Sequence, residues 1–313
     1  MISLRYHVIS IGAVFLALAL GILLGSTTLS DSLLSGISGQ KAKLAEQVTD
    51  LQAKNNTLKS NLNAADQFAT GIGQRTVRNL LTGRTVVIIT TPEASNYNEQ
   101  QLTTLLTAAG AQVTEQIKLT TAFSDPNKAD QLRDLVTQMI PAGAQLPVAS
   151  DPGTLSGGLL GDLLLLNKTN KPQATPDERS AALTALATAG FIKAAPQQTT
   201  TTPAQLAIVL TGGQQTDNAG DRAAMLARFA TQLQKTGPGT VLAGETGSAT
   251  GTSPIGVARA DTADNQLSTV DNEDTAAGRI TTILALQEQL TGKSGNYGTA
   301  SNAQSPTPQP PTN

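Results

Sequence analysis

The chain has 313 residues, of which 14% are charged and 3% aromatic, with one His, no Trp and no Cys. This composition excludes disulfides, thiol catalysis and Cys-based zinc or iron–sulfur sites, and it leaves almost nothing for a His-metal site. A net charge of −2 and a pI near 5.5 argue against a general nucleic-acid binder, which needs an excess of Lys and Arg.

The first predicted element is a membrane-spanning helix. Residues 8–24 read VISIGAVFLALALGILL, with Ser10 as the only polar side chain. Extension to Leu29 gives the roughly 20 residues that cross a hydrocarbon core of about 30 Å. The alternative is a cleaved signal peptide, but its apolar region is usually about 7–15 residues long and precedes a small-x-small site, and no convincing Ala-x-Ala follows here. We therefore predict that residues 1–29 form a cytoplasmic stub and an uncleaved anchor.

The flanking charges predict the orientation of this helix. Arg5 precedes it, Asp31 is the first charge after it, and no Lys or Arg follows before Lys41. The positive-inside rule then places the N-terminus in the cytoplasm and the rest of the chain outside the cell membrane, in a periplasm-like space. His7 lies at the membrane edge without a second His, which favours a solvated interfacial side chain over a metal ligand or pH sensor.

Residues 30–72 are predicted to form a hinge and a coiled coil. Ser35, Gly36, Ser38 and Gly39 mark the hinge, and Gly71 and Gly73 are expected to end the helix. Between them, two apolar series with a spacing of seven, offset by four, read as the d and a positions of about four heptads. The d series is Ile37, Leu44, Leu51, Leu58 and Ala65, and the a series is Val48, Asn55, Leu62 and Ala69.

This seam predicts a parallel homodimer. Asn55 at a central a position can pair with the same residue of a second copy and so favours a parallel, in-register pair. The dimerisation residues would be Leu44, Val48, Leu51, Asn55, Leu58 and Leu62. The alternative is an amphipathic helix that packs back on its own globular domain.

Residues 84–291 predict an extracytoplasmic α/β domain. Short apolar runs that read as buried strands (85–90, 112–119, 206–210, 240–243 and 254–260) alternate with helical patterns, which include 155–166, 218–234 and 275–290. The segment Thr175-Pro176-Asp177-Glu178 is a capping box at the start of a further helix, which Gly190 closes. This alternation is typical of a mostly parallel sheet flanked by helices. Residues 292–313 are polar and Pro-rich and predict a disordered tail.

Two groups of loop residues are candidates for ligand binding. Open α/β sheets bind ligands at the carboxyl ends of their strands, where Thr211-Gly212-Gly213 and Gly244–Ser253 follow two predicted strands. Neither segment has the Lys of a phosphate-binding loop, so surface loops are the favoured interpretation. An acidic stretch before the last helix could hold Ca²⁺, but it lacks the EF-hand spacing. The stretch comprises Asp261, Asp264, Asp271, Glu273 and Asp274.

The acidic stretch has a simpler explanation, because carboxylates at a helix start stabilise the N-terminal dipole and Asp271 or Asn272 can cap the helix. A Ser-His-Asp triad is excluded in practice, since His7 lies across the membrane from the large domain. No carboxylate pair stands out for catalysis, and we expect no enzyme, no bound cofactor and no nucleic-acid partner.

The opening Ser3-Leu4-Arg5-Tyr6-His7 before the apolar helix, the coil behind it, and Ser268–Asn272 before a helix with Ala276-Ala277-Gly278-Arg279 resemble the actinobacterial MctB family of copper transport proteins. The resemblance extends to about Tyr297. It implies copper transport or homeostasis, as part of an envelope copper efflux channel. The family also includes SteB-like proteins. Similarity to these implies a coiled-coil dimer that acts with a SteA-like membrane partner in envelope integrity and cell division, through septal peptidoglycan hydrolases.

The residues themselves do not form a copper site. Copper(I) prefers Cys and Met, and copper(II) prefers His, whereas Met139 and Met225 fall on predicted core faces and Met1 at the cytoplasmic end. An outer-membrane pore needs many alternating segments of about 10 residues, and this chain predicts helices and short buried strands instead. We therefore expect a non-enzymatic envelope scaffold or regulator that acts through protein partners, with copper transport as the alternative and a small-ligand sensor as a third possibility.

Overall fold

A computed structural model describes residues 4–145, 147–193, 202–214, 220–261 and 266–309, with only the backbone described at residue 4 and over residues 26–39. The chain divides into two compact units, residues 1–65 and 66–313. The first unit consists of helix over its described length, and the second contains the end of that helix and an α/β domain.

Helix α1, Leu4–Val77, is 74 residues long. It continues through residues 35–39, which corrects the expected hinge, and past Gly71 and Gly73, which corrects the expected helix end. A Gly in a helix costs only about 1 kcal/mol relative to Ala, so isolated glycines do not break a long helix. The chain leaves the helix just before Asn79, which has a positive φ of 64°. Within α1, Arg5–Gly25 is long and apolar enough to cross a membrane, with a mean hydropathy of 2.6.

The second unit is built on a six-stranded parallel sheet. Its strands are β1 Thr85–Thr90, β2 Gln112–Lys118, β3 Leu206–Thr211, β4 Gly239–Gly244, β5 Ser268–Val270 and β6 Asn296–Tyr297. The strand order is β2-β1-β3-β4-β5-β6, and every pairing is parallel. The central strands β3 and β4 are buried along their full length. The predicted mostly parallel sheet with flanking helices is confirmed.

Among the described residues, seven further α-helices flank the sheet. They are α2 Asn96–Ala108, α3 Ala129–Gln138, α4 Pro152–Leu164, α5 Pro176–Thr188, α6 Gly220–Thr236, α7 Pro254–Ala260 and α8 Ala276–Gln289. The predicted capping box is present, since the hydroxyl of Thr175 accepts from the Glu178 N–H and the Glu178 carboxylate accepts from the Thr175 N–H. Gly110 and Gly190 follow the ends of α2 and α5 with φ of 81°, a left-handed conformation that favours glycine.

Each face of the sheet has its own apolar core. On one face, the end of α1 packs with α2 and α8 through residues such as Val77, Leu102 and Leu286. On the other face, helices α3–α7 bury residues such as Leu159 and Phe229. Burying one such side chain contributes roughly 1.5–3 kcal/mol. The two layers of helices therefore pack on opposite faces of the same sheet, each through its own apolar core.

Helices α4 and α6 make an unusually close contact through Gly153, Gly157 and Gly161. A Cβ added at Gly157 would lie 2.6 Å from the carbonyl oxygen of Phe229, and one at Gly161 would lie 2.7 Å from Thr236 Cβ. The four-residue spacing places the three glycines on one side of α4. The leucines of residues 155–166 predict a core helix, and α4 is that helix. Its glycines determine how closely α6 can approach.

Two predictions in the C-terminal third need correction. Residues 254–260 form helix α7 rather than a strand; Pro254 at the first helical position favours a helix start, and a short apolar run does not distinguish the two structures. The tail that was predicted to be disordered from residue 292 contains β6, and Tyr297 in that strand is only 5% exposed. A strand is held by backbone hydrogen bonds, which do not require an apolar composition, so the polar sequence gives no sign of it. The predicted helix start at Asn218 and the last four residues, 310–313, lie outside the described residues.

Candidate functional site

The loops that follow β1, β3 and β4 meet at the carboxyl edge of the sheet, as the parallel strands predict. A Cβ added at Gly212 would lie 2.7 Å from the carbonyl oxygen of Glu93, and one at Gly213 would lie 2.8 Å from that of Thr246. The strand order changes direction between β1 and β3, where open sheets usually bind ligands. Here backbone packs on backbone at that point, so the two glycines close the loops together instead of lining a crevice.

The segment Gly244–Ser253 is exposed at residues 246 and 250–252, as expected for a surface loop, but part of it is packed. Ser248 and Ser253 are fully buried. The Asp274 carboxylate accepts hydrogen bonds from the backbone N–H and the hydroxyl of Thr246, at 2.8 and 2.9 Å. The Glu245 carboxylate accepts one from the Asn98 side-chain amide of α2 at 3.0 Å. These carboxylates hold the loop to its neighbours.

Within the acidic stretch, Asp271 has a structural partner. Its carboxylate lies 2.7 Å from the Arg259 guanidinium, and both side chains are at most 3% exposed. The same carboxylate accepts from the Thr299 backbone N–H at 2.7 Å, and Arg259 donates to the Tyr297 carbonyl at 2.7 Å. The pair therefore ties α7, β5 and the C-terminal segment together. Asp261 lies at the exposed end of α7, and Asp264 lies outside the described residues.

Glu273 is the most perturbed carboxyl group of the stretch. It is 2% exposed, and its Oε1 has no hydrogen-bond partner among the described residues. Burial raises the pKa of Glu273 to about 8; Arg279 opposes this shift, while Glu245 and Asp274 add to it. The Arg279 guanidinium instead donates to the backbone carbonyls of Glu273 and Asp274, at 3.2 and 3.1 Å. A carboxyl group with this pKa is largely protonated at neutral pH.

Helix α8 is capped by residues other than those predicted. The Thr275 hydroxyl, rather than Asp271 or Asn272, accepts from the Gly278 backbone N–H at 3.0 Å. The Asp66 carboxylate of α1 accepts from the Ala276 backbone N–H at 2.6 Å. Sequence patterns identify caps near the helix start, so a cap from a residue 210 positions away has no local signal.

The described residues contain no group of three or more His, Cys, Asp or Glu side chains placed to hold a metal ion. Met225 is 6% exposed, and Met139 is partly buried against the same core. Both methionines therefore lie in or against the apolar core, as predicted from the sequence.

Two apolar surfaces of α1 are exposed in the single chain. The candidate span Arg5–Gly25 has none of its apolar window buried. Farther along, the predicted seam is exposed at Leu44 (61%), Leu51 (64%) and Leu62 (69%). The remaining seam residues Val48, Asn55 and Leu58 are also exposed. The stripe keeps the heptad spacing of the seam predicted from the sequence, and pairing through it stays a prediction.

Near the globular domain, the apolar residues of α1 become buried instead of exposed. Ala69, a predicted a position, is partly buried, and Val77 is fully buried. A Cβ added at Gly73 would lie 3.3 Å from the Ile280 side chain and 3.6 Å from that of Leu105. The last turns of α1 thus pack on their own domain, which is the alternative considered for the whole helix. Among the seam positions whose side chains the structure describes, the exposed ones run from Leu44 to Ala65.

Comparisons with known proteins cover nearly the whole chain. The family model for "Copper transport outer membrane protein, MctB" matches residues 1–308. Proteins described as "Copper transporter MctB" from Mycobacterium bovis and Mycobacterium tuberculosis are 41% identical, over 98% of this chain and 99% of each relative. The protein of the same description from Mycobacterium leprae is 40% identical, over 97% of this chain and 98% of the relative.

Proposed function

The chain belongs to the MctB family, and on this basis we propose that it is a membrane-anchored, non-enzymatic envelope protein that acts in copper transport or homeostasis. The observation that carries this proposal is 41% identity to proteins described as copper transporters over almost the full length of both chains. Similarity of this extent covers the predicted anchor, the rest of helix α1 and the α/β domain. The relatives are described as transporters, which is consistent with a chain that catalyses no reaction.

We place the protein in the cell membrane through one helix, with its N-terminus in the cytoplasm. The support is the 21-residue span Arg5–Gly25 and the position of Arg5 at its start, since positive residues favour the cytoplasmic side. The α/β domain would then work outside the membrane. The phrase "outer membrane" belongs to the description of the family. We keep the proposal that the span Arg5–Gly25 lies in the cell membrane.

The donor chemistry limits how this chain could take part in copper movement. It has no Cys, three Met and one His, whereas copper(I) selects the soft sulfur ligands of Cys and Met, and copper(II) selects imidazole. Two of the methionines pack in or against the core. We therefore propose that the chain contributes to a copper path as part of a larger assembly, in which copies or partner proteins supply what one chain lacks.

The first step of that assembly is a parallel homodimer through the exposed seam of α1. Leu44, Leu51 and Leu58 supply the d positions and are each more than 60% exposed in the single chain. A second copy would bury them, at roughly 1.5–3 kcal/mol for each large side chain. Asn55 on the same stripe would set the register of the pair. A membrane partner of the SteA kind stays a prediction.

The implied role in division, through septal peptidoglycan hydrolases, gains no support from the comparisons, whose descriptions concern copper alone. The two roles are separable in one experiment. In a strain that lacks the gene, grown with added copper, we expect raised cell-associated copper by mass spectrometry and normal septum placement, and the full chain should return the copper to the parental value. Unchanged copper together with misplaced septa would contradict the copper proposal and favour the envelope scaffold.

A further inference from the structure

A polar groove lies between α2 and the edge strand β2, away from the loops and the seam described above. Its volume is about 530 Å³, within the range of about 300–1,000 Å³ typical of small-molecule sites. The side chains that matter here are Asn96, Glu99, Gln100, Thr103, Gln116 and Lys118, all of which line it. Helix and strand hold both walls, so the groove is fixed by regular structure rather than by loops.

An ion pair between a buried Glu and a half-buried Lys organises the groove. The Glu99 side chain is 6% exposed and its carboxylate lies 3.0 Å from the Lys118 ammonium, which also donates to the Asn96 side-chain oxygen at 2.9 Å. An ammonium group has three N–H donors, so one remains for a ligand, and the Lys118 side chain is 37% exposed. Because Glu99 neutralises Lys118, the groove offers a fixed donor without a net charge.

The other groups that reach the groove are neutral donors and acceptors. Gln100 and Gln116 are exposed, and in the described part of the chain the Gln100 side-chain amide has no recorded partner. Gln116 Nε2 makes one long contact of 3.5 Å with the Thr103 hydroxyl, which leaves its Oε1 available. Amides that both donate and accept match hydroxyl groups, which do the same.

An exposed aromatic ring borders these groups. Tyr97 is 63% exposed, and it precedes Gln100 by three residues on α2, so the two side chains are neighbours on the helix surface. An aromatic ring provides a flat apolar face with a polar tip. A ligand that suits the combined surface has hydroxyls along its edge and a C–H face that can stack on the ring, and it carries no net charge.

We propose that this groove binds a neutral saccharide, so that the α/β domain docks on a glycan of the cell envelope. An anionic ligand fits less well, since Lys118 is already paired with Glu99. A cationic ligand would have to compete with the same ammonium for the carboxylate. The inference does not depend on copper transport, because none of the groove residues belongs to the seam or to the membrane span.

The test is saturation-transfer NMR on the full chain in lipid nanodiscs, because the headgroup of a maltoside detergent is itself a saccharide. The probes are chitotriose and maltotriose, with triglycine, acetylated at its N-terminus and amidated at its C-terminus so that it carries no charge, as a competing class. We expect saturable transfer from the parental protein to at least one sugar and none to triglycine. Substitution of both Gln100→Ala and Gln116→Ala should weaken binding at least about tenfold, as expected for two lost hydrogen bonds.

Two controls keep the result specific. Gln112→Ala removes an exposed amide from the same strand outside the groove lining and should leave sugar binding unchanged, with circular dichroism to confirm that each variant is folded. The proposal is overturned if neither sugar gives transfer, if triglycine binds instead, or if Gln112→Ala weakens sugar binding as much as the double variant. A loss of binding in Tyr97→Ala with an intact fold would support the stacking contact.

Discussion

The side-chain carboxylate of Asp66 accepts a hydrogen bond from the backbone N–H of Ala276 at 2.6 Å, although the two residues lie 210 positions apart in the chain. Asp66 belongs to α1, and Ala276 is the first residue of α8. The carboxylate satisfies one of the free N–H groups at the helix start and interacts favourably with the helix dipole. One side chain therefore joins the end of the long helix to the α/β domain.

Asp66→Ala should lower the free energy of unfolding by about 1 kcal/mol, the usual cost of losing a helix cap, and lower Tm by roughly 2–4 °C. Thermal unfolding of the full chain, followed by circular dichroism, measures the change. Asp50→Ala is the matched control, since the Asp50 side chain is 58% exposed and pairs only with Lys54 on the same helix. Equal effects of the two substitutions would show that the bond to Ala276 contributes nothing.

Gly157→Ala should destabilise the domain by about 1–3 kcal/mol, because a methyl group would overlap a backbone atom that has no freedom to move away. The new Cβ would lie 2.6 Å from the Phe229 carbonyl oxygen, so α4 and α6 would have to separate. In Gly71→Ala the new Cβ meets nothing within 4 Å, and a helical alanine there should stabilise slightly. Opposite signs in urea unfolding are expected; a neutral Gly157→Ala would contradict the close contact.

Glu273→Gln should stabilise the domain more at pH 8 than at pH 5. An unfolded Glu loses its proton near pH 4.5, whereas burial raises the pKa of Glu273 to about 8 in the folded state. Between these values the folded state binds more protons, so stability falls as pH rises across that window. Burial also raises the pKa of Asp162 to about 6. This shift also lowers the stability as pH rises, but at lower pH, and it does so equally in the parent and in Glu273→Gln.

The difference between parent and Glu273→Gln therefore isolates Glu273. Chemical unfolding at several pH values gives that difference directly. A stability gain that is the same at pH 5 and pH 8 would mean that Glu273 does not change its protonation in this range.

Asn55→Cys should form a disulfide between two copies in oxidised membranes, because the parallel seam places the same a position of each copy side by side. The chain has no cysteine of its own, so every crosslink reports the introduced residue. Ser60→Cys is the control, since residue 60 lies two positions after the d residue Leu58 and faces away from the seam. Equal crosslinking of the two variants on a non-reducing gel would contradict the register.

The sequence predicts the parallel sheet because its β-branched runs, such as residues 85–90, and its helix caps are local signals. It does not predict contacts that depend on tertiary packing. The three glycines of α4 acquire their meaning only when α6 lies against them, and Asp66 reaches Ala276 only after the sheet has formed. Residues 254–260 show the limit of short apolar patterns, since a strand and a one- to two-turn helix can share them.

The same distinction holds for the candidate site. Parallel topology alone brings the loops after β3 and β4 to one edge, and this could be predicted. The pairing of Asp271 with Arg259 removes a carboxylate from any cation site, and the burial of Glu273 makes it a largely neutral acid at pH 7. Neither property is visible in the acidic composition of the stretch. The spacing predicts the seam, but only packing shows that its exposed part ends before Ala69.

The most direct test of paired, membrane-anchored chains in copper handling is the cell-associated copper of a gene-deletion strain that expresses a chain unable to pair. Leu51→Lys with Leu58→Lys places charges in the seam, and Ala53→Lys with Ser60→Lys adds the same charges on the outward side of the helix. At matched membrane levels, we expect raised copper with the first variant and parental copper with the second. Parental copper in cells that express the seam variant would contradict the account.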